Sequence, residues 1–149
     1  VQNAKDHLRD IAGIRVICYF IDDIYNLVNA LKRQSELIFI REKDYIQNPK
    51  LNGYRSFHVI IAVPVYYLDT MEYFPVEIQL RTMTMDLWAS MEHRVCYKKL
   101  PEHRDELAEA FCQYADILGK IEEQFEAYNE TGMLEEITPA QITENPTEG

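Results

Sequence analysis

Residues 43–63 read KDYIQNPKLNGYRSFHVIIAV, which sets a proline, a glycine, three bases, two tyrosines and a histidine directly against a hydrophobic strand. So many polar groups at a strand entrance are poor material for a core and good material for an anion-binding loop. Asn48-Pro49 and Asn52-Gly53 are turn signals, and Asn-Gly is the stronger because it tolerates positive φ. The following strand, 56–63, is expected to end at Pro64. It places Phe57, Val59 and Ile61 on one face and Ser56, His58, Ile60 and Ala62 on the other, with polar residues only near the loop.

Downstream, a turn near Asp69 leads to a strand over 73–81, and the short connection predicts an antiparallel hairpin. In VEIQLR, Val76, Ile78 and Leu80 share one face, and Glu77, Gln79 and Arg81 share the other. A solvated sheet face would explain that alternation by itself. Two strands that both carry polar groups towards one loop favour a functional patch.

Upstream, Asp10 to Phe20 alternates Ile14, Val16, Cys18 and Phe20 against Ile17 and Tyr19. Apolar residues on both faces predict a central strand covered on each side. Asp22 or Asp23 is expected to cap a helix carrying Ile24, Leu27, Val28 and Leu31, and 37–40 a short strand feeding the loop. Beyond the hairpin, a helix is predicted from Met85 to about Lys99 with Trp88, Met91 and Val95 at core-like spacing. A longer one follows from Glu102 to about Tyr128, with a heptad-like stripe of Leu107, Phe111, Tyr114, Leu118, Ile121, Phe125 and Tyr128. That stripe suits packing on the body or on a partner subunit. The pattern divides the chain into a core at 1–100, a packing or oligomerisation helix at 101–129, and an acidic flexible tail at 130–149.

The 149 residues and their 47% apolar content suffice for one core. Net charge is -10, but residues 1–100 hold 13 bases against 12 acids, and 101–149 hold 2 against 13. An acidic appendage repels long nucleic acid, whereas a neutral body can hold a small phosphorylated ligand where its bases converge. Cys18, Cys96 and Cys112 show no CxxC or metal-ligand spacing and read as buried thiols of a reducing compartment. No apolar run is long enough to span a membrane, and no signal peptide is recognisable.

Within the loop, Lys43, Lys50 and Arg55 suit phosphate oxygens, Tyr54 offers a ring for base stacking, and Gly53 frees the backbone for close approach. His58 suits phosphate or sugar, or a structural role. Tyr25 and Tyr45 read as packing residues. Asp10 and Glu77 among such bases suit Mg²⁺, which takes few protein carboxylates plus substrate phosphates, although Asp10 beside Arg9 equally suits a surface ion pair. Glu92 and His93, on the helix after Glu77, could face the same cleft. Neither GxxxxGK[ST] nor GxGxxG occurs, so nucleotide binding would need another architecture.

The segments DIAGIRVICYFIDDIY (10–25), KDYIQNPKLNGYRSFH (43–58) and VEIQLRTMTMDLWASMEH (76–93) closely resemble the synthetase domain of the RelA/SpoT family, best its small single-domain alarmone synthetases. The resemblance implies an α+β fold: a mixed, mainly antiparallel sheet flanked by helices, nucleotidyltransferase-like, with a long C-terminal helix. It implies transfer of the β,γ-pyrophosphate of ATP to the 3′-OH of GTP or GDP, with Mg²⁺, in a bacterial cytoplasm, by a homo-oligomer. On matching positions, Asp10 is similar to the Mg²⁺ ligand. Glu77 is similar to the residue that activates the 3′-OH and approaches the metal. Tyr54 is similar to the guanine-stacking tyrosine. Lys50, Asn52, Arg55, His58 and Gln79 resemble acceptor-nucleotide contacts, Lys43 a base on the ATP side, and Glu92 a family glutamate. The family's RxKxxxSxxxK segment, which grips ATP phosphates, has no counterpart in residues 1–9, where only Lys5, His7 and Arg9 occur. A chain of this form is expected to bind ATP weakly and synthesise little. The alternatives are a non-catalytic guanine-nucleotide-binding module and a structural oligomerisation domain.

Overall fold

The computed structural model describes residues 12–96 and 104–131. The elements are β1 (Ala12–Cys18), α1 (Ile21–Lys32), β2 (Ile38–Asp44), β3 (Phe57–Tyr67), β4 (Thr70–Thr82), α2 (Met83–Cys96) and α3 (Arg104–Thr131). The strands form one sheet in the order β1-β4-β3-β2. Only β1 and β4 run parallel; the hairpin and the β2–β3 pair are antiparallel. The mixed, mainly antiparallel α+β architecture is the expected one.

Alternation in β3 and β4 sorts the sheet into an apolar and a polar face. Phe57 lies opposite Leu80, Val59 opposite Ile78 and Ile61 opposite Val76. These side chains pack with Ile24 and Val28 of α1 and Met85 of α2 as the main core. Each such side chain, fully buried, contributes roughly 1.5–3 kcal/mol. Helix α1 presents Ile24 and Val28 one turn apart, and the flanking Leu27 and Leu31 widen the stripe. Trp88, Phe111 and Ala115 form a second cluster that joins α2 to α3, and Trp88 Nε1 donates to the Phe111 carbonyl at 2.7 Å.

The structure corrects several expectations. Among the described residues strand β1 is an edge strand, paired with β4 alone, and Ile14 and Ile17 are half exposed. Apolar residues on both faces are thus no proof of a central position. Pro64 does not end β3, which continues to Tyr67 with Pro64 opposite Tyr73. Strand β2 pairs no further than Ala62, so the missing proline N–H falls where no outer strand needs a donor. Strand β2 itself runs to Asp44 rather than stopping at Ile40. Neither Asp22 nor Asp23 is the N-cap of α1. Phe20 is, and its backbone N–H donates to Asp23 Oδ2 at 3.1 Å. The three cysteines are free but only half-buried.

The stripe on α3 also divides. Phe111, Ala115 and Glu122 are buried against the body, whereas Tyr114, Ile121, Phe125 and Tyr128 are exposed. The tail from 132 onward lies outside the described residues, as does Asp10. Among the described residues no helix is long and apolar enough to cross a membrane.

Candidate active site

The polar face of the sheet is assembled by register. Glu77 lies opposite Ile60 on β3 and Gly13 on β1; Gln79 lies opposite His58 and Arg15. On the outer side, Lys43 pairs with His58 and Arg41 with Ile60. A register shift between Phe39 and Arg41 makes this possible. It lets Phe39 point into the core while Arg41 and Lys43 both join the polar face, which is how a bulge re-aims a strand.

The loop between β2 and β3 is held by its own polar residues. Asp44 Oδ1 accepts the backbone N–H groups of Ile46 (2.8 Å) and Gln47 (2.9 Å), and its Oδ2 accepts the Tyr25 hydroxyl at 2.9 Å. Burial and this bond push the Tyr25 phenol up to about 12, so Tyr25 is a neutral donor to Asp44. Tyr45 N–H donates to the Ser56 carbonyl at 2.9 Å and closes the loop ends. At the tip, Gly53 N–H donates to the Lys50 carbonyl at 2.8 Å, and Gly53 takes φ 92°, a left-handed conformation that suits glycine. Asn52 Oδ1 accepts the Tyr54 N–H at 3.2 Å, an Asx turn.

Tyr54, His58, Glu77, Gln79 and Arg81 form one hydrogen-bonded circuit. Arg81 Nη2 donates to the Tyr54 hydroxyl at 3.0 Å and to Gln79 Oε1 at 3.3 Å. The Tyr54 hydroxyl and His58 Nε2 are 3.0 Å apart, His58 Nδ1 and Glu77 Oε1 3.1 Å, and Gln79 Nε2 donates to Glu77 Oε2 at 3.3 Å. One assignment makes every bond of the His58 branch: neutral His58 protonated on Nδ1, donating to Glu77 and accepting from Tyr54, whereas Arg81 Nε stays buried without a partner. Burial pulls the His58 pKa below its ordinary value, Arg81 and Lys50 add to that, and the Glu77 carboxylate opposes it. Both branches therefore begin at the Arg81 cation and end on the Glu77 carboxylate. Arg81 in turn donates to Asp86 Oδ1 at 3.1 Å, and Arg15 approaches the same oxygen at 3.4 Å.

Cations ring this circuit. Lys50 Nζ lies 4.8 Å from the Tyr54 ring centre and 5.0 Å from that of Tyr45, with Lys43 Nζ at 5.9 Å from Tyr45. Lys43, His58 and Glu77 line one cleft with Arg41. Tyr54, Arg81, Arg15 and Glu92 line another, and Asn52 and Glu92 share an adjoining one with His93. The structure thus gathers Lys43, Lys50, Tyr54, His58, Glu77 and Gln79 around the polar face of the sheet, with Glu92 at the Tyr54 cleft and Asn52 in the adjoining cleft between α2 and α3. It draws Arg55 away: Nη2 donates to Asp116 on α3 at 2.9 Å. Arg15, Arg41 and Asp86 reach this face although no motif marks them, and Tyr45, expected to be a packing residue, has Lys43 and Lys50 within cation–π distance of its ring. The β1 register and the β2 bulge that bring the arginines to this face are not visible in a single sequence.

No group of three or more His, Cys, Asp or Glu side chains forms a metal cluster among the described residues. A site of one or two carboxylates completed by phosphates is compatible with that, and Glu77 offers a further lone pair on each oxygen.

The chain matches the family described as "Region found in RelA / SpoT proteins" over residues 1–102. It is 48% identical over 120 residues to GTP pyrophosphokinase YwaC of Bacillus subtilis, covering 80% of this chain and 57% of that protein. The chain thus spans little more than half the length of this relative. The crystal structure of small alarmone synthetase 2 from Bacillus subtilis superposes with a TM-score of 0.76 at 44% identity, covering 84% of this chain and 69% of that one. Small alarmone synthetase 1 of the same organism, bound to its product pppGpp, gives 0.74 at 28% identity, covering 88% and 66%. By this match, fold and sequence together, the chain belongs to the RelA/SpoT family.

Proposed function

We propose that this chain carries the synthetase site of a GTP pyrophosphokinase, transferring pyrophosphate from ATP to the ribose 3′-OH of GTP or GDP. The observation that carries the reading is the circuit ending on Glu77 inside the family-matched region. The 3′ oxygen attacks the β-phosphorus of ATP and forms the new O–P bond. The bond from that phosphorus to the α,β-bridging oxygen breaks, and AMP leaves with the oxygen. The proton of the 3′-OH passes to Glu77.

Such a transfer needs alignment and charge neutralisation more than covalent help. Glu77 is suited to align the hydroxyl because His58 and Gln79 fix both of its oxygens. Tyr54 would stack on the guanine, with Lys50, Asn52, His58 and Gln79 as acceptor contacts, Lys43 on the ATP side and Glu92 at the cleft rim. Glu77 with Asp10 would hold Mg²⁺, which when bound neutralises phosphate charge. The reaction would be cytoplasmic. Exposed apolar residues of α2 and α3, among them Leu87, Met91, Tyr114 and Ile117, support self-association into a homo-oligomer.

The test is thin-layer separation of products from labelled ATP and GTP, using the full-length protein with and without Glu77→Gln. Labelled guanine nucleotide made by the wild type and lost in the variant supports the reading. Binding of GDP with no product in either protein would leave a non-catalytic nucleotide-binding module instead.

A further inference from the structure

Arg55 and Glu122 take no part in the circuit, yet both are held in place beneath the loop that carries Tyr54. Glu122 on α3 is only 5% exposed. Its Oε2 accepts the hydroxyl of Thr82, at the end of β4, at 2.6 Å, and also that of Thr84, in the first turn of α2. A buried carboxylate is costly unless hydrogen-bonded or paired, so these hydroxyls fix the rotation of α3 against the strand–helix junction. Its other oxygen, Oε1, and Arg55 Nε are both buried without a hydrogen-bond partner. The two residues, of opposite charge, line the same small cavity, together with Gly53 and Gly119.

The backbone is close-fitted around them. A Cβ on Gly119 would stand 2.8 Å from Arg55 Nη1, and a Cβ on Gly53 would meet Ala115 Cβ and the Cys112 Cα at 3.0 Å. Arg55 is anchored to Asp116 on the same helix. Tyr54 lies between these two fixed points, with its ring edge-on to Trp88 at 6.3 Å.

We propose that Arg55 and Glu122 are positioning residues: they latch α3 onto the back of Gly53 and thereby set Tyr54 and Lys50 for the guanine nucleotide. This rests on reading the site as one for guanine nucleotide. It gives Arg55 a place behind the loop rather than on the ligand.

The test uses the full-length protein and the variants Glu122→Ala, Arg55→Ala, Glu122→Gln and Gly119→Ala. The last favours the helix while pressing on Arg55, so it keeps α3 folded. Amide hydrogen exchange at Lys50–Tyr54 is expected to quicken about tenfold or more in Glu122→Ala, Arg55→Ala and Gly119→Ala. The Kd for GDP, by calorimetry, should rise about tenfold, with that for a non-hydrolysable ATP analogue held within about twofold. Glu122→Gln, which keeps an acceptor for the threonines, should recover most of the GDP affinity. Unchanged loop exchange would overturn the latch. Equal weakening towards both nucleotides would overturn it too, because that marks general loosening. Wild-type protein that fails to bind GDP would instead strike at the proposed function, and loop exchange would still decide whether the latch exists.

Discussion

Alternate residues of β4 face opposite kinds of environment. Ile78 and Leu80 are buried among aliphatic neighbours, whereas Glu77, Gln79 and Arg81 are wired to Tyr54 and His58. The apolar face depends on contact area, which is non-directional and tolerant of swaps that preserve volume. The polar face depends on bonds with fixed donors and acceptors, where removing one member strands its partner. One strand therefore separates stability from chemistry at single-residue spacing, and substitutions on its two sides should fail in different ways.

The largest effect should come from the polar side. Glu77→Gln is expected to lower kcat about 10³-fold, within the range of a lost general base. The melting temperature should stay close to wild type; a stability loss comparable to that of a core variant would erase the contrast. On the apolar side, Leu80→Ala should destabilise by about 2–5 kcal/mol in urea unfolding, since Leu80 is fully buried. Where still folded, it should leave the KM for GDP nearly unchanged. A milder probe is Tyr54→Phe, which keeps the ring and deletes the hydroxyl between Arg81 and His58. It should cost roughly 0.5–1.5 kcal/mol in transition-state stabilisation, read as kcat/KM. An unaltered kcat/KM would mean that the circuit is ornamental to the reaction.

The smallest effect is a pH dependence. His58 has a folded-state pKa below its ordinary 6.5, chiefly through burial. In the window between the two values the unfolded chain binds more protons, so stability from this group is full above 6.5. It is lost as pH falls through the lower, folded value. Melting curves of wild type and His58→Gln should therefore diverge as pH falls below that ordinary value, with wild type losing more. Parallel curves would show that His58 titrates normally.

Much of this arrangement was legible in one sequence because period-two alternation is local. The faces of β3 and β4 and the Asn52-Gly53 turn came directly from it. The sequence also carried the resemblance that placed Glu77, His58 and Gln79 together. What escaped was non-local. The edge position of β1 depends on which strands pair, the bulge in β2 on what packs beneath Phe39, and the departure of Arg55 on a helix that passes behind the loop. Arg55 is adjacent to Tyr54 in the chain, and adjacency alone cannot say which side of a loop a side chain serves.

The parallel pairing of β1 with β4 carries a kinetic consequence. Gly13 lies opposite Glu77, and every residue of α1, β2 and the loop intervenes between them. The β3–β4 hairpin can form by local closure, whereas β1 must cross the largest sequence separation in the sheet before it gains a single ladder bond. Docking of β1 is therefore expected to be a late event in refolding. The polar face of β4 would be complete on its β3 side before Arg15 arrives on the other.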